Sequence, residues 1–201
     1  MPSAGQMALH NEWEMAKPQS SDEIAAFYRD AQHLGGDLSD WHDQGRRQEL
    51  TERIVQWAKF YEIKSVLDVG CGNRHDLTAL RDVAITDLVG VEPNTALRQM
   101  WSKNDAPPVL YHNLDDVPFD LTPDMTILMD VLEHLLNPQE FVEQVCARIP
   151  VGGYLVEATA THDVLNPLHL KSNWGWLPDG QLRRAGFRQV NGFDRAHLWK
   201  R

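Results

Sequence analysis

Hydrophobic residues follow two different rhythms along this chain. Up to about residue 61 they recur at three- and four-residue spacing, as on one face of a helix. Ile24, Phe27, Tyr28 and Ala31 form one such stripe, behind Ser20, Ser21, Asp22 and Glu23, residues that suit a helix N-terminus. Gly35 and Gly36 mark its end, and Leu50, Ile54, Trp57, Ala58 and Tyr61 predict a second helix over 48–61. The first 20 or so residues are polar without periodicity and read as a loose arm. After residue 61 short, β-branched, nearly continuous apolar runs take over, at 65–69, 87–91, 109–111, 125–129 and 154–158. Such strands, separated by helical segments, predict a parallel sheet covered on both faces. The best-punctuated helix is 138–148, with Pro138 at its first position, Asn137 as N-cap and Glu140 completing a capping-box pattern. A short helix over 177–185 is stopped by Gly186, and strands at 187–190 and 197–199 are placed to close the sheet as a hairpin.

The length of 201 residues suits one domain with a full core. The expected division is an N-terminal arm and helical cap over 1–60 and a core over 61–201. The net charge of −10 is unevenly spread: nine acids and no Lys or Arg lie between Lys103 and Arg148, while residues 183–201 hold six basic residues and one acid. That balance disfavours general nucleic-acid binding, which needs a basic face. Two cysteines, Cys71 and Cys146, make neither a disulfide framework nor a zinc site. With no apolar run of membrane-spanning length and no signal-peptide pattern, the expectation is a cytoplasmic protein with no membrane association.

The sharpest chemical signal is Val66 to Arg74, VLDVGCGNR. A buried strand there delivers Asp68 and then Gly70 and Gly72 to the mouth of the sheet, where ligands of open α/β folds bind. Glu92 ends the next strand, at the distance expected of an acid that accepts from ribose hydroxyls. His75 stands where a G-x-G-x-x-G dinucleotide fingerprint needs glycine, and Asp68 and Asp76 flank the loop. Both facts fit a cofactor with an amine better than one with a pyrophosphate.

Five segments in order, VLDVGCG, VGVEPN, YHNLDDVPF, ILMDVLEHLLNP and VGGYLVEATAT, resemble the class I S-adenosylmethionine (SAM)-dependent methyltransferases, in particular the methyltransferase-11/12-like group. The resemblance implies a Rossmann-like, doubly wound, mostly parallel seven-stranded sheet with helices on both faces and an N-terminal helical cap. It implies that Asp68, Gly70 and Gly72 hold the methionine half of SAM and that Glu92 accepts from both ribose hydroxyls. Pro93 and Asn94 would wall the adenine, Asn113 and Leu114 would reach its edge, and Asp130 and Val131 would lie beside the methionyl group. Two positions depart from the family pattern: Asn73-Arg74 follows Gly72 in place of a further glycine, and Asn113 replaces a common Asp.

Methyl transfer to a hydroxyl gains from a base, and histidine is the natural one. The candidates are His134 after the fourth strand and His162 and His169 after the fifth. Asp130-x-x-Glu133-His134 with His169 also resembles the metal site of some relatives, though with Asp for the first Glu; the reading assigns no metal. Trp174 and Trp176 can stack on a ring, with Tyr28, Trp41 and His42 lining the same pocket. Arg46 or Arg47 can reach a cofactor carboxylate. The expected function is methyl transfer from SAM, with S-adenosylhomocysteine (SAH) as product, to O or N of a small-molecule acceptor. The alternatives are an RNA or nucleotide methyltransferase and a non-catalytic SAM-binding partner subunit.

Overall fold

The computed structural model describes residues 4–31, 44–73, 75–101, 109–159, 170 and 175–201. Helices α1 (Ala4–Ala16), α2 (Ser21–Asp30) and α3 (Gln44–Phe60) come first. Strands and helices then alternate: β1 (Ser65–Val69), α4 (His75–Asp82), β2 (Asp87–Val91), α5 (Thr95–Trp101), β3 (Val109–Tyr111), β4 (Met125–Met129), α6 (Pro138–Arg148) and β5 (Tyr154–Ala158). The chain finishes with α7 (Asp179–Arg184), β6 (Arg188–Phe193) and β7 (Ala196–Lys200). The sheet has seven strands in the order β3-β2-β1-β4-β5-β7-β6, with only β7 antiparallel to its neighbours. β1 pairs in parallel with both β2 and β4. The order therefore reverses at β1/β4, and the carboxyl ends of β1, β2 and β4 open a crevice where such folds bind ligands.

Alternate strand residues feed two cores, one on each face. Val66, Ile127 and Val156 meet Leu50, Ile54 and Trp57 of α3 and Leu77 and Leu80 of α4 on one side. Leu67, Leu128 and Leu155 meet Val142 and Val145 of α6 and Leu182 of α7 on the other. α3, grouped with the cap at the sequence level, thus contributes to the same core as the sheet. The doubly wound sheet and its closing hairpin follow the expectation.

Two local expectations are corrected. The loose arm is instead α1. Its residues are mostly good helix formers, and Leu9 and Trp13 form one i,i+4 pair, a stripe too narrow to register as periodic. Leu9 is buried, and Trp13 sits edge-on to Phe27 with ring centroids 5.0 Å apart, which joins α1 to α2 in a small separate core. The second correction concerns Asn137, whose side chain makes no capping bond. Its φ −119°, ψ 63° is not the extended geometry that swings a cap over the first turn. Ser20, at φ −126°, ψ 162°, has that geometry and forms a full capping box with Glu23. Ser20→Ala is therefore expected to cost about 1 kcal/mol, read by denaturant unfolding. α2 ends at Asp30, and Gly35, Gly36, Trp41 and His42 lie outside the described residues.

Candidate active site

The loop after β1 is tied down by its own backbone. Gly70 and Cys71 both donate to the Val91 carbonyl, at 2.8 and 3.0 Å, so the loop folds back over the end of β2. Gly70 has φ +75°, and a Cβ there would overlap Val131 Cγ2, the tip of a stiff β-branched side chain. Both conditions demand glycine. Gly70→Ala is expected to distort the loop and weaken cofactor binding about fivefold or more, by about 1–3 kcal/mol, measured by calorimetric titration. Asp68 is buried one residue before the end of β1, and Arg74 lies outside the described residues.

Glu92 is 5% exposed, yet its carboxylate is held in a defined orientation. Oε2 accepts from Gly72 N at 2.9 Å and Oε1 accepts from Asn94 N at 2.8 Å. Burial raises its pKa, opposed by those two N–H groups and by the charge of Arg98. Arg98 Nη1 also donates to the Glu92 carbonyl at 2.8 Å. A carboxylate has about four acceptor sites, so each oxygen of Glu92 keeps a lone pair for a further donor. A pair of adjacent hydroxyls, as on a ribose, matches that arrangement.

The Asn94 side chain, expected at the adenine, is engaged within the protein. It is fully buried, and its Oδ1 caps α5 by accepting from Leu97 N at 2.9 Å. Its Nδ2 donates to the carbonyls of Tyr28 and Ala31 at 2.6 and 3.0 Å. One amide therefore fastens the end of α2 to the turn that carries Glu92. Pro93 is half-buried beside it. Asn113 is exposed, with its N and Nδ2 donating to Asp116 Oδ2 at 3.0 and 3.4 Å. The Leu114 side chain is buried in the core, so only its backbone can face a ligand.

The far side of the crevice is built from the turn after β4. Asp130 adopts φ +55°, unusual for a residue with a side chain. Its N donates to the Ala158 carbonyl at 2.9 Å, extending the β4–β5 ladder. Both carboxylate oxygens accept from the guanidinium of Arg195, on the β6–β7 turn: Nη1 to Oδ1, and Nη2 to Oδ2 at 2.8 Å. His134 Nδ1 lies 2.7 Å from the hydroxyl of Tyr28, which reaches across from α2. Burial, and then the charge of Glu133, hold the Tyr28 phenol well above its usual pKa, so it stays protonated. Glu157 is buried in β5, and Thr159 Oγ1 donates to its carboxylate. Burial pushes the Glu157 pKa to about 7; Asp179 and Asp130 push in the same direction, against Thr159 and Arg195. No group of three His, Cys, Asp or Glu side chains among the described residues is placed to hold a metal ion.

A family model described as a methyltransferase domain matches residues 40–195. The chain belongs to that family. Over 178 residues the methyltransferase domain is 27% identical to the tRNA U34 carboxymethyltransferase of Colwellia psychrerythraea, covering 76% of this chain and 52% of that protein. It is 23% identical over 141 residues to the ubiquinone biosynthesis O-methyltransferase of Rickettsia felis, covering 66% of this chain and 58% of that protein. The chain thus spans a little over half the length of these curated relatives. In structure it resembles the Burkholderia thailandensis 1,6-didemethyltoxoflavin-N1-methyltransferase, solved with 1,6-didemethyltoxoflavin and SAH bound. The TM-score is 0.62 at 13% identity, over 92% of this chain and 91% of that one. That likeness establishes a shared fold.

Around the crevice the methyltransferase domain brings together Gly70, Gly72 and Glu92, with Val131 packed against Gly70 and Tyr28 against His134. His162, His169 and Trp174 fall outside the described residues, as do the side chains of Arg46 and Arg47. Trp176 packs on the α6/α7 core. Arg195 escaped the sequence reading because no motif surrounds it. Glu157 left a visible trace, a lone acid inside the apolar run YLVEA.

Proposed function

We propose that this domain transfers the methyl group of SAM to O or N of a small-molecule acceptor. The observation that carries the reading is the Glu92 carboxylate, buried and oriented by Gly72 N and Asn94 N beside a loop that admits only glycine at position 70. Those residues fit SAM: Glu92 would take the ribose hydroxyls, and the loop from Asp68 through Gly70 and Gly72 would take the methionine half. Pro93 and the 113–114 backbone would flank the adenine, and Asp130 and Val131 would border the methionyl group. When bound, SAM supplies a methyl group on a sulfonium, a good leaving group that needs no covalent help from the protein. The chain's own task is to hold the acceptor in line with that methyl and keep water out.

A hydroxyl or ammonium acceptor must also lose a proton. His134 is the proposed recipient, with its ring oriented by Tyr28; His162 and His169 are the further candidates. A base role at Nε2 requires His134 Nδ1–H to donate to the Tyr28 oxygen. Tyr28→Phe and His134→Ala are accordingly expected to lower turnover by about tenfold or more and leave SAM affinity within about twofold. Equal losses of affinity would make both residues structural. Cys71 and Cys146 are both buried, and among the described residues no helix is long and apolar enough to cross a membrane.

The similarity to a tRNA-modifying relative supports a second reading, an RNA acceptor. The basic C-terminal segment is the place to bind it, but several of its arginines are already engaged. Arg195 is paired with Asp130, Arg201 Nη1 donates to the carbonyls of Cys146 and Ile149, and Arg183 lies over the Trp199 ring. A small acceptor fits this surface better. Titration with SAM should give saturable one-site binding and a higher Tm. Incubation with hydroxyl- and amine-bearing acceptors should then release SAH. Absence of SAM binding would overturn the proposal, and steeply salt-dependent RNA binding would favour the second reading.

A further inference from the structure

We propose that Arg195 is a positioning residue for the cofactor. In this reading it holds Asp130 in a left-handed backbone conformation and thereby seats Val131 against the glycine loop. The proposal rests on the SAM site described above and extends it to a residue outside every motif that led to that site.

Asp130 is the residue after β4, and its N–H still belongs to the sheet, donating to the Ala158 carbonyl. At φ +55° the chain then leaves the plane of the sheet. That conformation is unfavourable for most residues with a Cβ, less so for Asp than for Ala, and at a functional turn it is held by its surroundings. What enforces it here is visible: both carboxylate oxygens are gripped by the two terminal nitrogens of one guanidinium. The fork is a rigid, planar donor pair, so it fixes the orientation of the carboxylate as well as its position. Arg195 itself follows Asp194, at φ +55° in the tight turn between β6 and β7, and is anchored by Ala196, which is fully buried in β7.

The geometry matters because of what comes next. Val131 Cγ2 occupies the space a Cβ would take at Gly70. A rotation at residue 130 would move Val131 away from Gly70 and remove its packing against the start of the glycine loop. The Asp130 side chain, read from the sequence as a neighbour of the methionyl group, thus has a second task. Its carboxylate faces Arg195, and its backbone directs Val131 towards the loop. Arg195 acts through Asp130 and need not touch SAM.

Four variants, one of them double, test this by calorimetric titration with SAM, with Glu92→Ala as control. Asp130→Gly and Asp130→Ala both remove the carboxylate, but glycine is at ease at positive φ and alanine is not. Asp130→Ala should bind SAM about fivefold more weakly than Asp130→Gly, the equivalent of about 1 kcal/mol of backbone strain. The Gly/Ala pair tests whether the left-handed backbone at residue 130 matters for SAM, and a model in which Arg195 only balances charge predicts an Arg195→Gln effect that does not depend on it. Arg195→Gln should weaken SAM binding about tenfold in the otherwise native chain and less than about twofold in the Asp130→Gly background. Equal affinities for the Gly and Ala variants, or an Arg195→Gln effect undiminished by Asp130→Gly, would overturn the proposal. The Gly/Ala comparison stands even if Arg195→Gln folds poorly. If Glu92→Ala leaves SAM affinity intact, the cofactor site itself has been misplaced; if Glu92→Ala weakens binding and the Asp130 pair does not differ, only the role of Arg195 falls.

Discussion

Glu92→Ala is expected to reduce SAM affinity by two to three orders of magnitude. The substitution removes the proposed acceptor of the ribose hydroxyls. It also strips Gly72 N and Asn94 N of their shared partner. A hydrogen bond to a charged group is worth about 1.5–3 kcal/mol, and a buried donor left unpaired costs a further ~1–3 kcal/mol. Part of that cost falls on folding, so thermal unfolding of the ligand-free chain should be recorded beside the titration. Acidification offers a milder version of the same experiment. Burial raises the Glu92 pKa, so the carboxylate gains its proton at a higher pH than an exposed glutamate does. SAM affinity should fall as the pH is lowered through that point, and the fall should be absent from the Glu92→Gln variant.

Glu157→Gln is expected to stabilise the fold at pH 8 by about 2–4 kcal/mol. Glu157 is 1% exposed and its folded pKa is pushed to about 7, above the 4.5 of an ordinary glutamate. Between those values the folded chain binds a proton that the unfolded chain does not. Stability therefore declines as the pH rises through that window, and the full penalty is present above it. Glutamine keeps an oxygen for the Thr159 hydroxyl and has no charge to desolvate. The variant should match the parent near pH 4.5 and pull ahead with rising pH, in guanidinium denaturation at each pH. A constant difference across the range would mean that Glu157 is ionised at little cost in the folded chain. A destabilising acid within an apolar strand, one residue from the carboxyl end, is the kind of conflict that marks a functional edge.

The parts of the structure legible in the sequence were those set by local demands. Near-continuous apolar strands with helical segments between them need cover on both faces, so a parallel sheet was readable from the pattern; its doubly wound order was implied only by the family resemblance. Gly70 was readable because positive φ and a tight approach act within a few residues. Glu92 was readable from its place at the end of a strand. What escaped depends on partners far along the chain: Arg195 meets Asp130 across 65 positions and Tyr28 meets His134 across 106. Asn94 was noticed, but the clamp it makes was not, because its burial under the end of α2 has no counterpart in its neighbours' sequence. α1 escaped for a related reason: its one apolar pair makes sense only once α2 is present to receive it.

The amide of Asn94 sets a limit on modularity. Under the proposed reading the sheet and the glycine loop serve the cofactor, which leaves the N-terminal helices as the part to exchange. Here, though, the carbonyls of Tyr28 and Ala31, at the end of α2, are the acceptors for a side chain that also caps α5, while its backbone N–H orients the Glu92 carboxylate. A transplanted cap would have to present two carbonyls to the same nitrogen or leave buried donors unsatisfied, at about 1–3 kcal/mol each. Side chains on α2 can therefore be changed more freely than the helix can be replaced.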